Sequence, residues 1–188
     1  MSDNTYYTVD LARRLEPSCT FYLLKVEPEL PDLRDFLCQL YPDGVSMHGY
    51  NYLCNPVPDM SNASTDSQAL LVDLVFELVR LAHFPSKPSR YQCIFATESI
   101  EDARDFRKSQ DYRSHKYDVL SAPIYRVIAA KDVHRGDMRL INNKCSVLEL
   151  YRRAHLYWSG KTAVLYEEYR PLWEILIPLP AIIGHQVD

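Results

Sequence analysis

Residues 66–83 carry the pattern that most restricts how this chain can fold. Asp66 or Ser67 can cap a helix at the start of this segment, and Pro85 disfavours a helical residue before it. Apolar side chains recur between these signals at helical spacing: Leu70, Leu71, Leu74, Val75, Leu78, Val79 and Ala82. The polar stripe is narrow and has three members: Asp73, Glu77 and Arg80. A helix with so little polar surface needs cover on most sides, so the pattern predicts the central helix of the domain.

Shorter segments on both sides of this helix predict alternating strands and helices. The predicted strands cover residues 20–26, 91–96, 124–130, 172–177 and 181–183. The other predicted helices cover residues 31–40, 99–106 and 145–158. Residues 54–66 are expected to form a loop. Short strands interrupted by helices, without regular βαβ periodicity, favour an α+β fold over a doubly wound sheet.

Chain length and charge limit the classes of function. A chain of 188 residues with 47% apolar residues suits one core, so residues 1–188 are expected to form a single domain. The formal net charge is −4, and the 21 basic side chains are scattered along the chain. No long basic face is therefore expected to release counterions from a nucleic acid, which argues against a broad nucleic-acid-binding surface.

The cysteines and the hydrophobic segments predict a cytoplasmic location, either in the cell that makes the protein or in a host cell. The five cysteines are odd in number and contain no C-x-x-C pair, so we expect reduced thiols rather than disulfides. No segment reaches the roughly 18 apolar residues that crossing a bilayer requires, so no membrane contact is expected. The six histidines are isolated from one another in sequence, and no metal site is predicted.

Common nucleotide and hydrolase motifs are absent from the chain. There is no G-x-x-x-x-G-K-[ST], G-x-G-x-x-G, G-x-S-x-G or H-E-x-x-H, and the whole chain has only five glycines. A glycine-rich phosphate loop is therefore not expected, and an enzyme with this sequence would capture a cofactor in another way.

Two neighbouring polar residues, Ser89 and Arg90, stand where a proline-rich loop leads into a predicted strand. The guanidinium of Arg90 suits a phosphate or carboxylate, and the hydroxyl of Ser89 suits a ribose hydroxyl or a neighbouring acid. The alternative is structural: Ser89 caps a turn and Arg90 pairs with Glu77. Glu77 and Arg80, three residues apart on the central helix, can likewise form an internal ion pair.

Glu174 is the one carboxylate within the late apolar run Leu-Trp-Glu-Ile-Leu-Ile-Pro. A carboxylate in such a strand is costly unless it faces solvent, a partner or a ligand. Strand alternation places it on the face of Leu172 and Leu176. Its carboxylate is therefore expected to face a partner or a ligand, with an edge-strand ion pair to Lys or Arg as the alternative.

Four short motifs, taken in order, resemble a known group of enzymes. They are Phe21-Tyr22, Ser89-Arg90-Tyr91, Ala154-x-x-Tyr157-Trp158-x-Gly160 and the run from Trp173 to Pro178. Their order resembles a divergent bacterial and phage family related to mono-ADP-ribosyltransferases. The resemblance covers about residues 20–184 and leaves residues 1–19 as an N-terminal extension. It implies an ADP-ribosyltransferase-like fold, with split mixed or antiparallel sheets and flanking helices.

The resemblance also implies NAD as the substrate and assigns roles to particular residues. Glu174 would bind the nicotinamide ribose and promote cleavage of the glycosidic bond, with Ser89, Arg90 and Tyr91 at the dinucleotide. Family members commonly carry His or Arg after the first-strand aromatic, and here Leu23 follows Tyr22. Either Lys25 or His48 replaces that group, or catalysis has been lost. The expected aromatic wall consists of Tyr22, Tyr91, Phe95, Tyr157 and Trp158.

The expected activity is transfer of ADP-ribose from NAD to a protein or nucleic-acid acceptor, by a toxin, an effector or a phage-encoded modifier. Loss of nicotinamide develops oxocarbenium character, which a positioned carboxylate stabilises. One alternative is an NAD glycohydrolase on the same fold, in which water replaces the acceptor. The other is a non-catalytic module that binds and inhibits another protein.

Overall fold

Two antiparallel sheets organise the structure, a computed structural model that describes residues 5–54, 65–111 and 119–188. The strands are β1 (Thr5–Val9), β2 (Thr20–Phe21), β3 (Cys93–Ala96), β4 (Ile124–Ala129), β5 (His134–Asp137), β6 (Trp173–Pro178) and β7 (Ala181–Gln186). One sheet has the order β1-β4-β7-β2, and the other has the order β3-β6-β5. Two residues separate β6 from β7, so the chain passes from an inner position of one sheet directly to an inner position of the other.

Five α-helices accompany the sheets in the described part of the chain, which confirms the predicted α+β class. They are α1 (Pro31–Leu40), α2 (Met47–Leu53), α3 (Thr65–His83), α4 (Ile100–Asp111) and α5 (Val147–Trp158). Serine side chains cap three of them: the Oγ atoms of Ser46, Ser99 and Ser146 accept backbone N–H groups in the first turns of α2, α4 and α5. None of the described helices is long and apolar enough to cross a membrane.

The two faces of β6 pack into two different cores. Leu176 belongs to a core with Phe76 of α3 and Trp158 of α5, where the indole Nε1 donates to the Phe76 carbonyl at 2.7 Å. Ile175 and Ile177 belong to a second core, shared with β4 and β7. Both faces of the strand are therefore buried. Glu174 shares the Leu176 face, as strand alternation predicts, and its carboxylate lies between the sheet and the helices.

Several predicted elements agree with the structure, and others need correction. The helices that start near residues 31, 66, 99 and 147 and the strands β4, β6 and β7 are found where they were expected. The strand predicted over 20–26 covers only Thr20–Phe21 in the structure, because Leu24 pairs with Val45 in an isolated bridge outside the sheet. Tyr91 and Gln92 belong to a short 3-10 turn before β3. Most of the predicted loop over 54–66 lies outside the described residues.

Three elements were not predicted: β1, β5 and α2. β1 lies in the presumed N-terminal extension, yet its five residues pair in register with β4 and form an edge of the four-stranded sheet. β1 also joins the two sheets, because Tyr7 and Thr97 exchange backbone hydrogen bonds of 3.0 and 2.8 Å. The N-terminal segment is therefore part of the fold.

The cover of α3 differs from the sequence prediction in one respect. The helix was expected to be covered on most sides, and its polar stripe of Asp73, Glu77 and Arg80 is buried, at 4%, 2% and 7% exposure. The leucines on the opposite side are 42–55% exposed: Leu71, Leu74, Leu78 and Leu81. α3 is thus amphipathic in the inverted sense. Its charged residues point inward because Ser89 and Arg90, from another segment, bind Glu77 and Asp73 there.

Candidate functional site

A cleft of about 680 Å³ opens beside the junction of the two sheets. β1 and the turn after it, α2, β3 and the start of β6 all contribute to its walls. Four of the residues singled out in the sequence line it: His48, Arg90, Phe95 and Glu174. These side chains come from three separate segments, α2, the stretch that leads into β3, and β6, and the fold brings them to one place.

Arg90 lies at the centre of the polar groups in the cleft. Its Nε donates to Asp73 Oδ1 at 2.7 Å, and its Nη1 donates to the Tyr157 hydroxyl at 2.8 Å and to Glu174 Oε1. The guanidinium carbon lies 4.7 Å from the centroid of the Phe95 ring, within cation–π range. Burial alone would lower the pKa of Arg90, but the Glu174, Tyr157 and Asp73 oxygens outweigh it and raise the pKa well above its ordinary value. Arg90 is therefore a permanent buried cation.

Glu174 is held in a single orientation by two donors. The Tyr157 hydroxyl donates to its Oε1 at 2.7 Å, and Arg90 donates to the same oxygen. The second oxygen, Oε2, accepts neither of these bonds. Burial, above all, raises the pKa of Tyr157 well above its ordinary value, so its hydroxyl keeps the proton that it donates. The arrangement presents a fixed carboxylate at the wall of the cleft.

His48, on α2, is the neutral aromatic member of the site. Its ring centroid lies 4.2 Å from that of Tyr52 and 4.8 Å from that of Phe95. Its Nε2 lies 3.6 Å from Asp73 Oδ2, too far for a hydrogen bond, and has no partner among the described residues. Burial lowers the pKa of His48 to about 4, although the Asp73 carboxylate acts in the opposite direction. The imidazole is consequently uncharged at neutral pH.

This burial predicts an acid-sensitive fold. The pKa of His48 is about 4 in the folded protein against 6.5 for the free side chain, so the unfolded chain binds the proton more tightly. Its contribution to stability is complete above pH 6.5 and is lost as the pH falls from 6.5 to about 4. His134, whose pKa burial also lowers to about 4, acts in the same direction.

We expect His48→Gln to make the free energy of unfolding fall less steeply over this pH range than it does in the wild type. Urea unfolding at a series of pH values measures the slope. His185→Gln, at an exposed position, is the matched control and should keep the wild-type slope. Parallel curves for His48→Gln and wild type would contradict the assignment.

A second buried cluster, centred on Glu77, is structural. Its carboxylate accepts from the Tyr41 hydroxyl at 3.1 Å, from Arg80 Nη2 at 2.8 Å and from Ser89 Oγ at 2.9 Å. Ser89 Oγ also accepts the backbone N–H of Tyr91 at 3.1 Å. The predicted Glu77–Arg80 ion pair and the predicted capping role of Ser89 are thus confirmed. The predicted alternative pairing of Arg90 with Glu77 is wrong, because Arg90 binds Asp73 and Glu174.

Several sequence-predicted site residues lie away from the cleft walls. Tyr22 is 64% exposed just beyond the short β2, and Lys25 Nζ donates to the Pro42 carbonyl at 2.5 Å. Trp158 is buried in the helix-side core, so its expected place in the aromatic wall is wrong. Tyr91 is buried beside Tyr41, 6.1 Å between ring centroids. The hydroxyl of Ser89 donates to Glu77. Tyr157 contributes its hydroxyl to the site, and its ring is not part of the cleft wall.

Other segments supply the residues that the sequence analysis missed. The aromatic side chains that do line the cleft, besides Phe95, are Tyr7, Phe21, Tyr52, Phe106 and Trp173. Thr8 and Asp10 of the N-terminal segment are buried at the cleft: Thr8 Oγ1 donates to the Phe95 carbonyl at 2.7 Å, and Asp10 accepts the Leu15 N–H at 2.7 Å. The β-prone run over residues 5–9 was the available signal. No group of three or more metal-ligating side chains occurs among residues 5–54, 65–111 and 119–188.

Comparison with known proteins places the chain in a family. The sequence has no significant match among curated proteins. A family model described as a protein of unknown function, DUF2441, matches residues 35–184. This range contains Arg90, Phe95 and Glu174 and starts after β1 and β2. Because the match covers most of the chain, the protein belongs to the DUF2441 family.

Proposed function

We propose that this protein is a mono-ADP-ribosyltransferase that cleaves NAD in the cleft, with Glu174 as the catalytic carboxylate. The observation that carries the proposal is the fixed Glu174 carboxylate on the cleft wall, bonded to Arg90 and Tyr157 and close to an aromatic surface. The resemblance of the motifs around these residues to mono-ADP-ribosyltransferases supports the same function. We also propose that the two sheets are arranged as in the ADP-ribosyltransferase fold.

The chemistry of NAD cleavage suits the environment of Glu174. Departure of nicotinamide leaves positive charge on the ribose, and a carboxylate that needs no reorientation stabilises that charge effectively. Both protein donors bind Oε1, so Oε2 is the oxygen that we assign to the nicotinamide ribose. Arg90, already bound by Asp73 and Glu174, serves to position the carboxylate rather than to bind phosphate.

Other groups in the cleft suit the remaining parts of NAD. Tyr52, Phe95 and the uncharged His48 form an aromatic surface on which nicotinamide can stack. Arg14 lines the cleft and is exposed, so it is the cation that we assign to the pyrophosphate. These rings, packed beside the reacting ribose, would also exclude water. The electrostatic effect of Glu174 is stronger where water is excluded.

Release of nicotinamide by the purified protein tests the proposal. We expect Glu174→Gln to lower the rate by about 100-fold or more, because the amide keeps the shape but loses the charge that the transition state needs. Glu167→Gln, at an exposed position away from the cleft, is the matched control and should keep the wild-type rate. Circular dichroism and thermal unfolding must show that each variant is folded.

Assays with and without cell lysate separate the possible activities. Release that increases with lysate and labels a macromolecule from radioactive NAD indicates transfer to a protein or nucleic-acid acceptor. Release that is equal without lysate indicates the alternative NAD glycohydrolase. A folded wild-type protein that releases no nicotinamide under either condition contradicts the proposal and favours a non-catalytic, protein-binding inhibitor.

A further inference from the structure

The outward side of α3 is a continuous apolar surface. We define the leucine face by its exposed members: Leu71, Leu74, Leu78, Leu81 and Ala82. Leu70 and Val75, both half-buried, border it. Every charged residue among the described side chains of α3 before His83 lies on the opposite, buried side. Three turns of helix thus expose apolar groups where a surface helix ordinarily carries its polar residues.

The spacing of the four leucines identifies the kind of surface that fits them. They follow one another at intervals of three, four and three residues, which is the a/d spacing of a helix that packs against another helix. The sequence of intervals is the same in both directions along α3. Suppose that a second α3 lies antiparallel to the first and that the two-fold axis crosses the interface at the level of residue 76. Leu71 then faces Leu81 of the copy, and Leu74 faces Leu78. The leucine face is therefore complementary to itself, as a two-fold interface requires.

Charge and neighbouring residues favour the same partner. The leucine face carries no charge, so two identical faces meet without like-charge repulsion. At the C-terminal end of α3, the His83 ring contacts the Tyr151 hydroxyl of α5 at 2.9 Å. His83 lies on the same side of α3 as Val72 and Phe76, which pack against Ala154, Tyr157 and Trp158 of α5. α5 therefore covers the buried side of α3 and leaves the leucine face open to a partner.

We propose that two copies of this protein associate through their leucine faces, with the two α3 helices antiparallel. Stable interfaces usually contain about 20–30 residues a side, more than the leucine face supplies, so we expect micromolar rather than nanomolar affinity. The proposal goes beyond the catalytic one, and neither depends on the other.

Sedimentation velocity over about 1–100 µM protein tests the association, because this range brackets a micromolar dissociation constant. The wild type should shift from monomer to dimer as its concentration rises. Leu74→Glu/Leu78→Glu should remain a folded monomer over the whole range, because it places charges at the centre of the interface. Leu33→Glu/Phe36→Glu, which introduces the same two charges at α1 positions that are 50% and 55% exposed, should dimerise like the wild type.

Charge pairs at the ends of the leucine face test the antiparallel register. Leu71→Lys/Leu81→Glu should still dimerise, because lysine and glutamate of opposite copies meet. Leu71→Lys/Leu81→Lys should be monomeric, because like charges meet at both ends. A monomeric wild type, or a dimer that survives Leu74→Glu/Leu78→Glu, overturns the proposal and leaves the face to another partner. A monomeric Leu71→Lys/Leu81→Glu, or dimerisation of Leu71→Lys/Leu81→Lys, overturns the antiparallel register.

Discussion

Replacing Arg90 by methionine is expected to lower the free energy of unfolding by about 3–5 kcal/mol. The guanidinium is buried and binds two acids, Asp73 and Glu174, as well as the Tyr157 hydroxyl. Methionine fills part of the volume but leaves both carboxylates buried without a cation, which is the costly part of the change. Urea unfolding followed by circular dichroism measures the loss.

Two controls separate the loss of charge pairing from the loss of packing. Arg152→Met removes an exposed arginine that pairs with Glu149, and Arg153 still binds that acid, so stability should barely change. Adding Asp73→Asn and Glu174→Gln to Arg90→Met should restore part of the lost stability, because no unpaired charge then remains buried. Failure of the triple variant to recover any stability would show that packing, rather than charge, explains the effect of Arg90.

Gly136→Ala is expected to damage both stability and catalysis. A Cβ atom at Gly136 of β5 would lie 2.3 Å from Cε2 and 2.6 Å from Cζ of the Tyr157 ring. That ring is fully buried and cannot move without losing the hydroxyl bond to Glu174. We expect a loss of about 3 kcal/mol, at the upper end of ordinary overpacking costs. Nicotinamide release should fall as well, because Glu174 loses one of its two fixed donors.

Matched variants identify the Tyr157 ring as the cause. Gly184→Ala adds the same methyl group to β7, where the nearest atom, Arg126 Cβ, is 3.1 Å away, and should be much milder. Gly136→Ala should cost less in a chain that already carries Tyr157→Leu, because the colliding ring is gone. Equal costs in both backgrounds would mean that the strand backbone, and not the ring, rejects the side chain.

Helix positions could be predicted well from this sequence because their signals are local. Caps, prolines and apolar spacing around α1, α3, α4 and α5 all lie within a few residues of the helix ends. β1, β5 and α2 escaped because they are short and their stability comes from distant partners: β1 pairs with β4 across more than 100 residues. The exposure of the leucines of α3 was not predicted either, because no pattern within the helix shows which of its apolar side chains the rest of the fold covers.

The site was predictable in part for the same reason. Glu174 could be singled out because a carboxylate in an apolar strand is costly without a partner. Arg90 could be singled out because its guanidinium, where a loop enters a strand, suits a phosphate or a carboxylate. Their pairing with each other, and with Asp73, depends on packing between β6 and α3 that no local pattern encodes. Tyr22 and Trp158 were chosen as aromatic residues near motifs, yet aromatic rings serve solvent-exposed and core positions equally well.

The placement of β6 and β7 has a consequence for the order in which the protein is made. Each is the last strand of its sheet to be synthesised, and each lies between strands that are made earlier. While the ribosome is still adding residues 173–186, β3 and β5 have no common neighbour, and β4 pairs with β1 alone. Neither sheet can close, and the walls of the cleft cannot meet, until this stretch has left the exit tunnel. The two sheets therefore depend on one late stretch of the chain, and neither half has its full set of strands before residues 173–186 are free to pair.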